Sequence, residues 1–511
     1  MILPFDLFDF KQKVDYKTEL LAGLTVALAL VPEAIAFAVI ADLNPLIGLY
    51  AAFVMGLVTS ILGGRPGMIS GATGAVAIVL VALSASHGPE YIFACVILAG
   101  LIQIGAGLLR LGKLMRLVPQ PVVYGFVNGL AIVIGGAQLV HFRTGSGGDT
   151  PWMSGTPLYT MIGLTALTML VMWGLPKLTK AFPSGLAGII VTIAVVYFAG
   201  IDTKTIGDLA SIEGGFPFPS IPEIPFTFEA LWVILPYSVL VALVGLIESL
   251  LTLNIVDEIT ETRGRSNKEA VAQGIANVTS GFTGGMGGCA MIGQSLINIS
   301  SGARARLSGI FASIMLLVFI MYGSAYIEQI PMAALVGIMF MVSIGTFEWA
   351  SLRTFGKMPK WDLFVLVLVT VITVFEDLAI AVVIGVIVSS LRFAYVNAKM
   401  IRARKRTDEA GRKHYEIWGP LFFGSIQTFN SKFDVLNDPD EIVIDFMESR
   451  IVDMSAIEAL HRLTERYAKQ GKKVTLKHLS PDSRARLTKA DAIIDVDVDE
   501  DPTYKVMADF V

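Results

Sequence analysis

The feature that most limits what this chain can become is a succession of apolar runs, each about 20 residues long, that follow one another from residue 18 to residue 396. A backbone inside lipid must satisfy its own hydrogen bonds, so each run is a candidate spanning helix. Fourteen can be placed, among them 18–40, 69–86, 231–254, 288–299, 361–376 and 377–396. Only 16% of the 511 residues are charged, against about 25% in an average soluble protein, and that excludes a soluble protein of this size. The apolar character stops near Arg392. The boundaries that follow are an amphipathic lead-in at 1–17, a transmembrane domain at 18–396, a basic linker at 397–410 and a soluble domain at 411–511.

Loop charges test the count. With the N-terminus inside, the inner loops carry Arg65, then Arg110, Lys113 and Arg116, then Lys177 and Lys180, then Arg263, Arg265 and Lys268, then Arg304 and Arg306, then Arg353, Lys357 and Lys360. The outer loops carry Arg143 and Lys204. This asymmetry is what the positive-inside rule requires, and one miscounted span inverts it downstream. It also puts the soluble domain in the cytoplasm. Strand signals at 415–418, 421–423, 442–446 and 474–476, with an amphipathic helix over 455–470, make that domain α/β.

Two runs are unusual. The third and tenth open on small and polar residues, Ser70-Gly71-Ala72-Thr73-Gly74 and Gly288-Cys289-Ala290-Met291-Ile292-Gly293, each after a Gly-Gly pair. In a count of fourteen they are equivalent members of two seven-span halves. Short, glycine-interrupted segments at matching places point to broken helices at a mid-membrane site, although small residues also serve close helix packing.

Intramembrane ionisable groups are candidate functional groups. Glu33 in the first span and Glu248 in the eighth lie deep in apolar sequence, again at equivalent positions, with no Lys or Arg at such depth. Thr252 follows Glu248 by one helical turn, so a carboxylate and a hydroxyl could face one cation or proton. A carboxyl merely hydrogen-bonded to a neighbouring helix is the alternative. Asp257, Glu258, Glu261 and Glu376 fall near span ends and read as solvated termini. Without a buried cation, positive potential for an anion must come from helix N-termini, about half a charge each.

Several classes are excluded. The five histidines and two cysteines lack the spacing of a metal site or disulfide framework, and the mixed-sign tail offers no nucleic-acid surface. The stretch 107–114 matches a phosphate-binding loop up to Lys113 but ends in Leu114, where a hydroxyl should bind magnesium. An ATP-driven pump is not supported. No nucleophile, base and orienting group fall together, so the chain is not read as an enzyme.

These motifs resemble the SulP (sulfate permease) anion transporters. The resemblance rests on Pro32-Glu33-Ala34-Ile35-Ala36-Phe37-Ala38, Ser70-Gly71-Ala72-Thr73-Gly74, Glu248-Ser249-Leu250-Leu251 and Gln273-Gly274-Ile275-Ala276-Asn277, and in the tail on Gly419-Pro420-Leu421-Phe422-Phe423-Gly424 and Asp453-Met454-Ser455-Ala456. It implies a polytopic α-helical membrane protein of seven-plus-seven inverted repeats, with spans one to four and eight to eleven as a core domain and the rest as a gate domain. A cytoplasmic STAS domain follows. It further implies an anion held by Ala72 and Thr73 at one helix start and Met291, Ile292 and Gly293 at the other, beside Glu33 and Phe37. Glu248 with Thr252 is similar to the sodium site of related bicarbonate transporters, with Glu replacing Asp, which leaves sodium or a proton as coupling ion and no other cofactor. Ser455 resembles the phosphorylatable serine of anti-sigma-factor antagonists, with a helix N-cap as the plainer role. The implied setting is a homodimer in lipid, in a bacterial inner membrane with both termini cytoplasmic, and a regulator on the STAS-like domain. Expected substrates are bicarbonate, sulfate or a dicarboxylate, by symport; an uncoupled channel or exchanger and a nucleobase permease are the alternatives.

Overall fold

The computed structural model describes residues 15–112, 118–144, 151–179, 183–208, 214–225, 227–353, 356–375, 378–481, 483–484 and 497–499. Most of the 1–17 lead-in, Lys113, Arg116, Lys180, Glu376 and most of the chain beyond 484 lie outside the described residues. Two compact units divide at residue 386.

The first unit is helical. Its first half comprises α1 (Tyr16–Ile40), α2 (Pro45–Leu62), α3 (Gly74–His87), α4 (Pro89–Leu108), α5 (Gln120–Ala137), α6 (Thr156–Leu178) and α7 (Ser184–Ala199). The second comprises α8 (Phe228–Thr260), α9 (Ser266–Phe282), α10 (Ile292–Ser300), α11 (Leu307–Tyr322), short α12 (Ser324–Ile327), α13 (Met332–Thr346), short α14 (Trp349–Arg353), α15 (Lys360–Phe375) and the first part of α16 (Leu378–Met400), within which the division falls. Among the described residues, setting α12 and α14 aside leaves the fourteen helices expected, and seven are long and apolar enough to cross a membrane on that ground alone. Helices α1–α4 pack with α8–α11, most closely as α4 on α9 and as α1 and α2 on α11. Helices α5, α6, α7, α13 and α15 form a second body, which α16 joins where Gly385 meets Val369 and Val122. That is the core and gate division.

The two unusual spans begin later than the sequence suggests. Residues 70–71 and 289–290 are strands β1 (Ser70–Gly71) and β2 (Cys289–Ala290), paired antiparallel with Ser70 opposite Ala290 and Gly71 opposite Cys289. The extended residues of each half find backbone partners only in the other half, which is how irregular backbone survives at membrane depth. Gly288 is essential to the crossing: a Cβ there would lie 2.7 Å from the Gly71 carbonyl carbon and closer still to its oxygen.

Charged side chains lock the helix ends of this core. Glu19, 3% exposed, accepts from the amides of Arg304, Ala305 and Ser308 at 2.6, 2.8 and 3.0 Å, capping the approach to α11. Glu269 accepts from the Gly64 amide at 2.7 Å, and Arg306 donates to the carbonyls of Ser60 and Gly63 at the end of α2. Such bonds satisfy groups a helix leaves orphaned.

The second unit is an α/β domain with a five-stranded sheet, β3 (Arg402–Thr407), β4 (Lys413–Trp418), β5 (Glu441–Glu448), β6 (Lys473–Lys477) and β7 (Asp497–Asp499), ordered as in sequence. Only the β3–β4 pair is antiparallel. Helices α17 (Ile426–Asn430) and α18 (Met454–Ala468) complete it, and Ile457, Leu460, Leu463 and Tyr467 of α18 enter its core. Two expectations need correction. The segment 397–410 is no linker: α16 runs to Met400 and β3 starts at Arg402, its Arg402, Arg404 and Arg406 giving an edge strand a charged face. Nor is 421–423 a strand. It contributes a single bridge, Leu421 to Ile451, before a 3-10 turn at Phe423–Ser425, as Pro420 and Gly424 break the ladder.

Candidate functional site

The β1–β2 crossing sets the starts of α3 and α10 against each other. Neither start carries a side-chain cap: Thr73 and Met291 occupy the N-cap positions without bonding back to the helix. The first intrahelical bonds are Ala77 N–H to the Thr73 carbonyl and Ser295 N–H to the Met291 carbonyl, so the amides of residues 74–76 and 292–294 precede both ladders. Each start supplies about half a positive charge.

A cavity of about 1420 Å³ opens over this crossing. Its core-side lining includes Glu33 and Phe37 of α1, Thr73 and Gly74, Glu248 of α8, and Met291, Ile292, Gly293 and Gln294; Tyr124 and Val127 of α5 and Val342 of α13 line it from the gate. The sequence-derived residues are therefore gathered at one place, with two exceptions. Ala72 and Thr252 are buried, at 1% and 0% exposure, and do not line the cavity. Gly293 faces open space, with nothing within 4 Å of where a Cβ would stand, whereas Phe37 packs beside Gly74.

The expected pairing of Glu248 with Thr252 takes another form. The Thr252 hydroxyl donates to the Glu248 backbone carbonyl at 2.8 Å and approaches the Ala290 carbonyl at 3.4 Å. A hydroxyl one turn along a helix bonds backward in this way, and shared face does not make it share a ligand. The Glu248 carboxylate instead accepts from the Cys289 thiol at 2.9 Å, and Cys289 Sγ lies 3.2 Å from Thr73 Oγ1. Ser249 receives the Ala290 amide at 3.1 Å. A chain of hydrogen bonds thus runs from α8 through β2 to the start of α3. Glu33, on the other side, faces the Gln294 side chain.

Two residues of this network, Cys289 and Gln294, carry no signal as individual residue types. Their position at the start of the broken tenth span is the clue that could have found them. Asp257, read as a solvated helix end, forms an ion pair with Arg65 at 3.2 Å and accepts from the Gly264 amide. In the second unit the N-cap of α18 is Asp453, which accepts from the amides of Ala456 and Phe423 at 2.9 and 2.8 Å. Ser455, one residue inside the helix and half-buried, is not the cap.

Residues 16–369 match the sulfate permease family and residues 403–502 the STAS domain. The chain belongs to the sulfate permease family. It is 43% identical over 471 residues to the Bacillus subtilis protein named "Putative sulfate transporter YbaR", covering 92% of this chain and 96% of that one. It is 29% identical over 513 residues to the bicarbonate transporter BicA of Synechocystis, covering 92% of this chain and 90% of that one. The solved transmembrane domain of a cyanobacterium BicA matches with a TM-score of 0.63 at 30% identity, over 72% of this chain and 97% of that one. Murine Slc26a9, an anion transporter solved in the inward-facing state, shares the fold with a TM-score of 0.80 at 17% identity, over 95% of this chain and 90% of that one. The chain is a multi-pass membrane anion transporter with a C-terminal STAS domain, and not an enzyme.

Proposed function

We propose that this transporter takes up a small oxyanion by symport with a proton, the core body moving against the gate body in an elevator-type cycle. The observation that carries the reading is that Glu33 and Glu248 line the same cavity as the two uncapped helix starts. A carboxyl that can gain and lose a proton beside an anion couples the two. The proton is favoured over sodium by the partners of Glu248. Hard cations take several oxygen ligands, whereas here a thiol donates to the carboxylate and the Thr252 hydroxyl donates to backbone carbonyls. The curated relatives are named for sulfate and bicarbonate, which makes these the first substrates to test. The inner-loop basic residues favour cytoplasmic termini, in a bacterial inner membrane. A homodimer, with the STAS domain offered to a cytoplasmic regulator, completes the proposal.

The test is uptake of labelled sulfate and hydrogencarbonate into proteoliposomes, with pH and sodium gradients imposed separately. Accumulation driven by an inward proton gradient is expected. Accumulation that follows sodium alone would assign the coupling ion wrongly, and downhill flux indifferent to both gradients would favour a channel.

A further inference from the structure

A second cavity, of about 620 Å³, shares no residue with the first. It lies between α4, the start of α8 and an irregular strap, residues 214–225, that leads towards α8. The strap is fixed to the core: Tyr50 donates to the Gly215 carbonyl at 3.1 Å, the Ser220 amide to the Phe282 carbonyl at 2.7 Å and the Glu223 amide to the Glu90 carboxylate at 2.8 Å. Pro217, Pro219, Pro222 and Pro225 leave it few amides to satisfy. Exposed Phe218, Phe228 and Trp232 put this end at the membrane interface, where aromatic rings collect. The lining is apolar, with Ile97, Leu98 and Leu101 from α4, Ile224 from the strap and Leu231 and Ile234 from α8. Both helices are long and apolar enough to span a membrane, so the groove between them opens on hydrocarbon.

We infer that this groove holds one acyl chain of a phospholipid with a primary ammonium headgroup, the chain lying along α4 and the ammonium meeting the acidic rim formed by Glu90, Glu223 and Glu229. Size and charge select that occupant. From Glu90 to Leu101 a helix rises about 16 Å, close to one leaflet of a hydrocarbon core ~30 Å thick. A helix of a second copy, about 10 Å across, would need about 1250 Å³ over the same length, twice the room available. Glu223 adjoins the lining residues Pro222 and Ile224, and Glu229 adjoins Phe228 and Ala230. No lysine or arginine occurs from Pro66 to Leu109 or from Thr205 to Thr262, and basic residues resume at Arg110 and Arg263, beyond the far ends of α4 and α8. A headgroup with a net negative charge therefore meets like charge at the rim, whereas an ammonium meets its opposite.

Native mass spectrometry of the delipidated full-length chain, titrated with phosphatidylethanolamine and phosphatidylglycerol of identical acyl chains, tests this. One tightly held lipid is expected, with phosphatidylethanolamine favoured about five- to tenfold. Glu223→Gln combined with Glu229→Gln, both at exposed positions, should narrow that preference towards parity while a lipid is still held. Ala94→Phe places a ring in the groove and should lose the tightly held lipid whichever headgroup it carries. The wild-type preference stands even if a variant fails to fold. Equal retention of the two lipids by the wild type overturns the inference, as does a preference untouched by the paired glutamine substitutions or undiminished lipid binding in Ala94→Phe. A wild type that holds no lipid, but whose dimer Ala94→Phe breaks, assigns the groove to a second copy and overturns it too. None of these outcomes alters the transporter reading.

Discussion

Replacing Glu248 by Gln keeps the shape of the side chain and removes its capacity to carry a proton, and the consequence can be worked through from the charges at the site. Among the described residues the one basic side chain lining the cavity is Arg263, which stands with Asp257, Glu258 and Glu261 at the end of α8, so at the crossing itself the two helix starts, with about half a charge each, suit a single negative charge. A monoanion moving with one proton on Glu248 crosses as a neutral pair. Its accumulation then follows the pH gradient, at about 1.4 kcal/mol or tenfold per pH unit, and ignores the membrane potential. In Glu248→Gln the anion crosses alone and carries its charge. An interior-negative potential of about 100 mV now opposes entry by about 2.3 kcal/mol, equivalent to exclusion by roughly fiftyfold. Proteoliposomes with the pH gradient and a potassium diffusion potential set independently separate these cases. The parent should accumulate substrate with the pH gradient at any potential, and the variant should equilibrate at zero potential and exclude substrate when the interior is negative. Binding should persist, because the helix starts are separate from the carboxyl. If Glu248→Gln accumulates substrate as steeply as the parent, the coupling group lies elsewhere and Glu33 inherits the role.

Cys289 is expected to tune this carboxyl through the thiol bond: Cys289→Ser, which keeps a donor, should preserve the pH profile of uptake, whereas Cys289→Val should shift it, as pH-jump flux measurements would show. Gly288→Ala should push β1 and β2 apart at the Gly71 carbonyl, costing about 1–3 kcal/mol and most anion binding, read by thermal unfolding and titration of the same sample. In the soluble domain, buried Asp438 accepts from Lys413 Nζ, Tyr415 OH and Tyr467 OH at 2.5, 2.7 and 2.5 Å. Burial pushes its carboxyl up, but these bonds more than offset that and leave it below the ordinary value, so the stability it confers is present above about pH 4 and lost as pH falls through the lowered value. Asp438→Asn should weaken the hold of β4 on α18 by about 2 kcal/mol at neutral pH and remove that acid-side titration, as amide hydrogen exchange followed against pH would reveal.

What the sequence exposes and what it conceals divide along the range of the interactions concerned. The spanning helices are legible because burial in lipid is written into each run by itself, and Glu33 and Glu248 are legible because an ionisable group in such a run is costly and stands out against it. The starts of α3 and α10 are displaced by four or five residues from the predicted 69 and 288, to Gly74 and Ile292. Ile69, Ala72, Ala290 and Met291 are as apolar in an extended strand as in a helix, and the bond that makes them extended comes from some two hundred positions away. Thr252 shows the same limit at short range. Spacing puts its hydroxyl on the face of Glu248, but the backbone carbonyl in reach is what takes the proton. Strand β3 is hidden differently, since alternating Arg402, Arg404 and Arg406 read equally as a charged linker and as the exposed side of an edge strand.

On the function proposed above, the β1–β2 pair also explains how a binding site for an anion can dispense with a buried cation. A lysine or arginine at this depth would be expensive to hold while the site is empty, and it would neutralise the carboxyls that coupling requires. Two helix starts give comparable potential without a titrating or mobile charge, but each is only half enough, so they must converge. Convergence at this distance needs main chain against main chain, and Gly71 opposite Cys289, with Gly288 pressed on the Gly71 carbonyl, is the arrangement that permits it. The hydrogen-bond chain from Glu248 through Cys289 to Thr73 crosses the same junction. One backbone contact between the two halves therefore brings the two helix starts together and, on the symport reading, sets the proposed coupling carboxyl two hydrogen bonds from the Thr73 hydroxyl.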